Sequence, residues 1–262
     1  MTRFFGGVLL VLAVAAIASA VPRVRRLAGG SDAQTGQYPY MAAIKFDGKL
    51  VCGGAIISPI KILTAANCVD RCLRDKDPAF RDCKNFMTVY TGSGSLSKGG
   101  TVSRVKSVKV PENFVLGKFA NDIGTITLES PIKFSANEKA VDLPTADFVE
   151  NSVATSTGWG ATAGAENKFS DLLKSLQETV ISSSKCSPFF KDKPVPVDVN
   201  DFCGVAVPGT EKAGLCIGDS GDPLVQDGKL IGISTWGIGC AEGYPDVFTN
   251  VYRNLNFIKS EL

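Results

Sequence analysis

CGGAIISPIKILTAANC, residues 52–68, completes the apolar run KLVCGGAII and ends, in ILTAANC, on an asparagine beside a cysteine. The run is of strand length and is bounded by turn-forming residues. MAAIKF, MTVYTG, VSRVKSVKV, IGTITL, SLQETVI, KLIGIST and DVFTNV repeat that pattern along the chain. Short runs rich in Val, Ile and Thr, separated by Gly, Pro, Asp or Asn, predict an antiparallel all-β sandwich or barrel. Asp47-Gly48 and Asp227-Gly228 lie between such runs and predict tight type I′ hairpins, because both central residues of that turn need positive φ. Helical periodicity is confined to the C-terminus, where Val251, Leu255, Ile258 and Leu262 share one face.

The N-terminus carries a different signal. Arg3 precedes an apolar run from about Gly6 to Ile17, and Ala18-Ser19-Ala20 supplies small residues for cleavage. Residues 1–20 are therefore expected to be a secretory signal peptide, since the run falls short of the roughly 20 apolar residues of a membrane span. Residues 21–26, VPRVRR, are expected to be a propeptide cut after Arg26, which leaves a domain of residues 27–262 beginning at Leu27. The whole chain carries a formal charge of +2; removing the four arginines of residues 1–26 gives +2 − 4 = −2 for the remainder. The basic balance belongs to the precursor, and no nucleic-acid partner is expected.

Residues 27–262 show no repeat or linker and read as one folding unit with ample apolar content for a core. They hold eight cysteines, Cys52, Cys68, Cys72, Cys83, Cys186, Cys203, Cys216 and Cys240. An even number in an exported chain points to disulfides, whose connectivity spacing alone leaves open. With no histidine in the chain and no C-x-x-C pair, a metal centre is not expected, nor is a cofactor.

LAGGSDAQTGQYPYMAAI, CGGAIISPIKILTAANC, NDIGTITL, GWG, GLCIGDSGDPLV and STWGIGCAEGYPDVFTNV occur in one order. In that order the chain resembles the trypsin and chymotrypsin-like serine proteases over essentially all of residues 27–262. The resemblance implies two packed six-stranded antiparallel β-barrels, a C-terminal helix and a cleft between the barrels. It matches Ser220 to the nucleophile, Asp122 to the buried acid and Asn67 to the position of the histidine. An imidazole takes the serine proton and returns it to the leaving group, whereas an amide has no useful basicity. The catalysis that survives loss of one triad member is only about a thousand- to ten-thousandfold over water. Asn67 is expected to fill the vacated space and donate its NH₂ to Asp122, so that the buried carboxylate keeps a partner.

The same resemblance assigns Gly218 and Ser220 to the oxyanion hole, and Gly214, Thr235, Trp236, Gly237 and Asp246 to substrate binding. Gly214 stands where trypsins have aspartate and Asp246 where most members have glycine, a combination similar to certain arthropod collagenolytic members. Asp246 would favour a Lys or Arg side chain by charge; the alternative is an internally hydrogen-bonded or solvated aspartate. Asp222 replaces the second glycine of the usual Gly-Asp-Ser-Gly-Gly-Pro, leaving open whether the loop distorts or the carboxylate faces solvent. Cleavage after Arg26 would free the Leu27 amine to pair with Asp219. The family implies disulfides Cys52–Cys68, Cys186–Cys203 and Cys216–Cys240, and the remaining Cys72 and Cys83 are paired with each other. No calcium-binding carboxylates occur in TGSGSLSKGGT.

The resulting expectation is a secreted, extracellular, monomeric and non-catalytic homologue of the serine proteases. It would bind protein or peptide ligands in its cleft, proteases and protease inhibitors among them, with no nucleic-acid or membrane partner. A serine endopeptidase whose substrate supplies the missing base is the alternative from the enzyme class, and a decayed digestive enzyme with no binding role is a third.

Overall fold

The computed structural model describes residues 30–73, 83–161, 168–209 and 213–262. The expected signal peptide and propeptide, with Arg26 and Leu27, lie outside the described residues, as does most of the stretch between Cys72 and Cys83.

Strands β2 (Met41–Phe46), β3 (Lys49–Ser58), β4 (Lys61–Thr64), β5 (Met87–Thr91), β6 (Thr101–Lys109) and β7 (Gly124–Leu128) close an antiparallel barrel in the order β2-β3-β4-β7-β6-β5. Strands β8 (Val153–Gly158), β9 (Lys174–Ser182), β10 (Asp201–Ala206), β11 (Pro223–Gln226), β12 (Lys229–Trp236) and β13 (Asp246–Asn250) form the second. It runs β9-β10-β13-β12-β11-β8 and closes through β8–β9 pairing. The two-residue β1 (Ser31–Asp32) is added to the outer edge of β9. Closure removes the free sheet edges, so each short strand gains hydrogen-bonding partners on both sides.

Both Asp-Gly pairs make the predicted hairpins. Asp47 and Gly48 have φ of +50° and +74° between β2 and β3, and Asp227 and Gly228 have +48° and +76° between β11 and β12. Alternation along each strand sends one face inward. Ala42, Ile44, Ile56, Ile62, Val89 and Ile126 fill the first barrel, and Val180, Phe202, Leu224, Ile231 and Phe248 the second.

The C-terminal helix is shorter than its periodicity suggests: a 3₁₀ turn at Tyr252–Asn254 leads into a helix at Leu255–Ser260. Val251 and Ile258 are fully buried in the first barrel's core cluster together with Leu230 and Ile233 of β12, so this segment ties the barrels together. Leu262, expected on the same face, lies past the helix end and is exposed, because no further turn carries it back to the core.

All four expected disulfides are present, Cys52–Cys68, Cys72–Cys83, Cys186–Cys203 and Cys216–Cys240. The first anchors the short helix α1 (Ala66–Val69) against β3. The last holds the loop that follows Gly214 to the segment entering β13.

Candidate functional site

Asn67 stands one residue into α1, immediately after β4, with its side chain at the half-buried edge between the barrels. Asp122 comes from the turn before β7, where Asn121 adopts φ +52° and directs the chain inward. Asn67 donates twice to the fully buried Asp122, from its backbone N–H to Oδ1 at 2.7 Å and from Nδ2 to Oδ2 at 2.5 Å. Thr235 of β12 adds a hydroxyl donor to Oδ2 at 2.5 Å. Burial pushes Asp122 above its usual carboxylate range, and these hydrogen bonds, Thr235's first, oppose the shift.

The amide thus saturates the acid without supplying a base. Truncating it in Asn67→Ala removes one donor from a buried carboxylate, and the fold is expected to lose about 1–3 kcal/mol. Urea unfolding of the variant, with Thr235→Val as a second truncation at the same oxygen, checks this expectation.

Ser220 lies in the loop between Cys216 and β11, and its carbonyl accepts the Gly53 N–H of β3 at 2.9 Å across the barrel junction. Among the described residues no hydrogen bond joins its hydroxyl to Asn67. Ahead of it, the Asp219 N–H reaches the Cys216 carbonyl at 3.1 Å, and Gly218 has φ +94°. That is the signature of a type II turn, whose third position requires positive φ. Phe169 closes over this turn: a Cβ on Gly218 would lie 2.7 Å from its Cε1. Gly221 is needed for close approach as well as for its φ of +86°, since a Cβ there would overlap Thr64 Oγ1 and the Gly53 carbonyl.

Asp222 neither faces solvent nor takes up a left-handed backbone. Its side chain turns inward into space left by two distant glycines, Gly53 of β3 and Gly158 of β8; a Cβ on either would overlap one of its carboxyl oxygens. Among the described residues no N–H or neutral hydroxyl reaches those oxygens. Asp219 lies beside them, also fully buried, with Oδ1 accepting the Gly160 N–H at 2.7 Å and Oδ2 the Cys216 N–H at 2.9 Å. Burial, reinforced by the Asp219 charge, pushes Asp222 well above the carboxylate range. Asp219, raised by burial but held down by hydrogen bonds from Asp222 and the two backbone donors, reaches only about 6. A protonated Asp222 that donates to an ionised Asp219 is the arrangement these environments favour.

On the far side of the loop, Asp246 opens β13 between two glycines, Gly214 and Gly237. A Cβ on Gly214 would lie 3.1 Å from its Oδ2 and one on Gly237 would lie 3.4 Å from its Oδ1. The Leu215 N–H donates to Oδ2 at 2.9 Å. Trp236, at the end of β12, is half-buried and meets Phe190 edge-on at 4.9 Å. The structure therefore joins Asn67, Asp122 and Thr235 by hydrogen bonds and groups Gly214, Leu215, Gly237 and Asp246 around one carboxylate.

A family model described as Trypsin matches residues 27–258. The chain belongs to the trypsin family. Among its trypsin-family relatives, brachyurin of Leptuca pugilator is 32% identical over 240 residues, covering 90% of this chain and 98% of that protein. Trypsin alpha of Drosophila melanogaster is 30% identical over 227 residues, covering 86% and 83%. Two solved structures share the trypsin-family fold. The scabies mite inactivated protease paralogue S-D1 has a TM-score of 0.76 at 26% identity, covering 89% of this chain and 96% of that one. Neuropsin, a serine protease of mouse brain, has a TM-score of 0.75 at 25% identity, covering 88% and 98%. Among the described residues no helix is long and apolar enough to cross a membrane.

Two residues of this neighbourhood escaped the sequence reading, Phe169 and Glu178. Phe169 carried no signal that the sequence could offer. Glu178 did: in SLQETVI it shares the inward parity of Leu176 and Val180, which places an acid on the buried face of a strand.

Proposed function

We propose that this chain is a secreted, non-catalytic member of the trypsin family that binds protein or peptide ligands in the cleft between its barrels without cutting them. Proteases, their inhibitors and protease substrates are the ligand classes that such a cleft suits. One observation carries the reading: Asn67 spends its amide on Asp122, and with no histidine in the chain Ser220 has no imidazole to take its proton. A serine hydroxyl is a weak nucleophile at neutral pH unless a neighbouring base accepts that proton. The likeness to an inactivated protease paralogue supports the reading at the level of fold and family.

The test is turnover of peptides with P1 Arg, Lys, Phe, Leu or Ala by protein processed at Arg26. Native protein and Ser220→Ala are expected to be indistinguishable, while the same peptides bind saturably. Ser220-dependent cleavage at an ordinary enzymatic rate overturns the reading.

The formed turn at Gly218 favours one rival, a restricted endopeptidase in which a histidine of the substrate acts as base. Peptides differing only by a histidine near the scissile bond separate the two: equal, negligible turnover of both leaves the binding role.

A further inference from the structure

Behind Asp246 stands a second acid that no feature of the triad requires. Glu178 of β9 is fully buried, and among the described residues neither of its carboxyl oxygens meets an N–H donor. Strand register explains how it reaches Asp246. Gly204 of β10 pairs with Asp246 on one side and with Val180 on the other, and Glu178 pairs with Ala206 two residues along. The Glu178 side chain lies over Gly204, where a Cβ would come within 2.6 Å of its Oε1. The missing side chain lets an acid from β9 pass across β10 to one on β13.

We infer that Glu178 is a specificity-determining positioning residue of the Gly214–Gly237 pocket: its carboxyl donates a proton to Asp246, so the pair holds one proton and presents a single negative charge to a cationic side chain. The inference deepens the binding role proposed above and rests on it. Asp246 is 7% exposed and Glu178 not at all, so only Asp246 can meet a ligand. Gly237 adds no atom beside the Asp246 carboxylate, and a Cβ there would have only Asp246 Oδ1 within 4 Å, which leaves open space for a ligand's charged end. An amidinium, guanidinium or ammonium group is the chemistry that fits.

The surroundings support one shared proton. Burial, and then the Asp246 charge, push Glu178 far above the carboxylate range, whereas Asp246, also raised by burial, is held down by hydrogen bonds from Glu178 and the Leu215 N–H. Of the packed elements, β8 contributes Ser156, whose hydroxyl favours the ionised Glu178 but ranks below burial and Asp246, β10 contributes Gly204, and the loop before Ser220 contributes Asp219, whose charge opposes ionisation of both. Among the described residues these neighbours include no cation, so a second negative charge at the pair would stand uncompensated.

Benzamidine, with neutral benzamide as its control, tests the inference by affinity titration between pH 4.5 and 8.5 on native protein, Glu178→Gln and Glu178→Leu. Glutamine reproduces the donor without a labile proton; leucine fits an apolar barrel core and removes the donor. Native protein is expected to prefer benzamidine and to lose that preference as falling pH neutralises Asp246. Glu178→Gln should keep the native affinity at pH 7.5. Glu178→Leu should move the midpoint upward by about one pH unit or more, which weakens binding about tenfold between the two midpoints. Superimposable profiles for native protein and the leucine variant overturn the inference, as does equal binding of benzamidine and benzamide at every pH. If benzamidine behaves as expected but no peptide of the panel binds, the functional reading fails and the pocket assignment stands. If peptides bind with no preference for Arg or Lys at P1 and no pH dependence, the reverse holds.

Discussion

Asn67→His is expected to give a protein that cleaves peptides through Ser220, with turnover at least about a thousandfold above the native chain. The acid that must orient an imidazole is in place, because Asp122 already accepts from the side chain at position 67 and from the Thr235 hydroxyl. Its fully buried carboxylate would hold the ring in one tautomer and stabilise the imidazolium that forms when Ser220 gives up its proton. Losing the base of such a unit costs about a millionfold in kcat, which sets the ceiling on what the substitution restores. The Asp219–Asp222 pair sits directly under the nucleophile loop, so Asn67→His/Asp222→Gly belongs in the same experiment. Turnover with the single variant means that the imidazole alone was missing. Turnover only with the double variant makes Asp222 a second, independent lesion. Silence in both, each judged against its own Ser220→Ala control, contradicts the claim that the missing base accounts for inactivity.

The barrels were legible where local chemistry and pattern agree. Each Asp-Gly pair adopts positive φ at both residues, and the apolar runs around them became strands nearly at their own limits. Strands β4, β8, β10 and β11 left weaker traces. VATSTG and DFCGVA mix Ser, Thr, Asp and Gly, while PLVQ and KILT are four residues long. Such segments become strands because a closed barrel pairs them on both sides, and tertiary pairing overrides weak intrinsic preference.

The site divides the same way. Contact between Asn67 and Asp122 follows from motif positions, but the environments of Asp222 and Glu178 depend on side chains missing elsewhere. Gly53, Gly158 and Gly204 open the spaces that these acids fill, and they come from three strands in two barrels. A one-dimensional reading sees an acid and a distant glycine, not the vacancy that joins them.

The concentration of buried acids predicts an unusual dependence of stability on pH. Asp122, Glu178, Asp201, Asp219, Asp222 and Asp246 are all raised by burial, Asp201 to about 8. A raised carboxyl binds its proton more tightly in the folded chain than in the unfolded one. The folded state therefore holds more protons between the two pKa values, and stability falls as pH rises through that window. For Asp201 the window runs from about 4 to about 8, and each unit is worth about 1.4 kcal/mol, so this group alone accounts for up to about 6 kcal/mol. Glu150 and Asp171 are lowered by their hydrogen-bonding partners and act in the opposite sense, but both lie at the surface, where water screens them.

Thermal unfolding followed by circular dichroism should accordingly give a Tm about 10 °C higher at pH 5 than at pH 8. Asp201→Asn should flatten the curve, since the amide can still accept the Asp198 N–H while carrying no titrating proton. A Tm that is constant or rises over this range would show that these carboxyls ionise in place at little cost. In that case water or a compensating charge must reach the second barrel's interior, and the single shared proton assigned to Glu178 and Asp246 would lose its electrostatic basis as well.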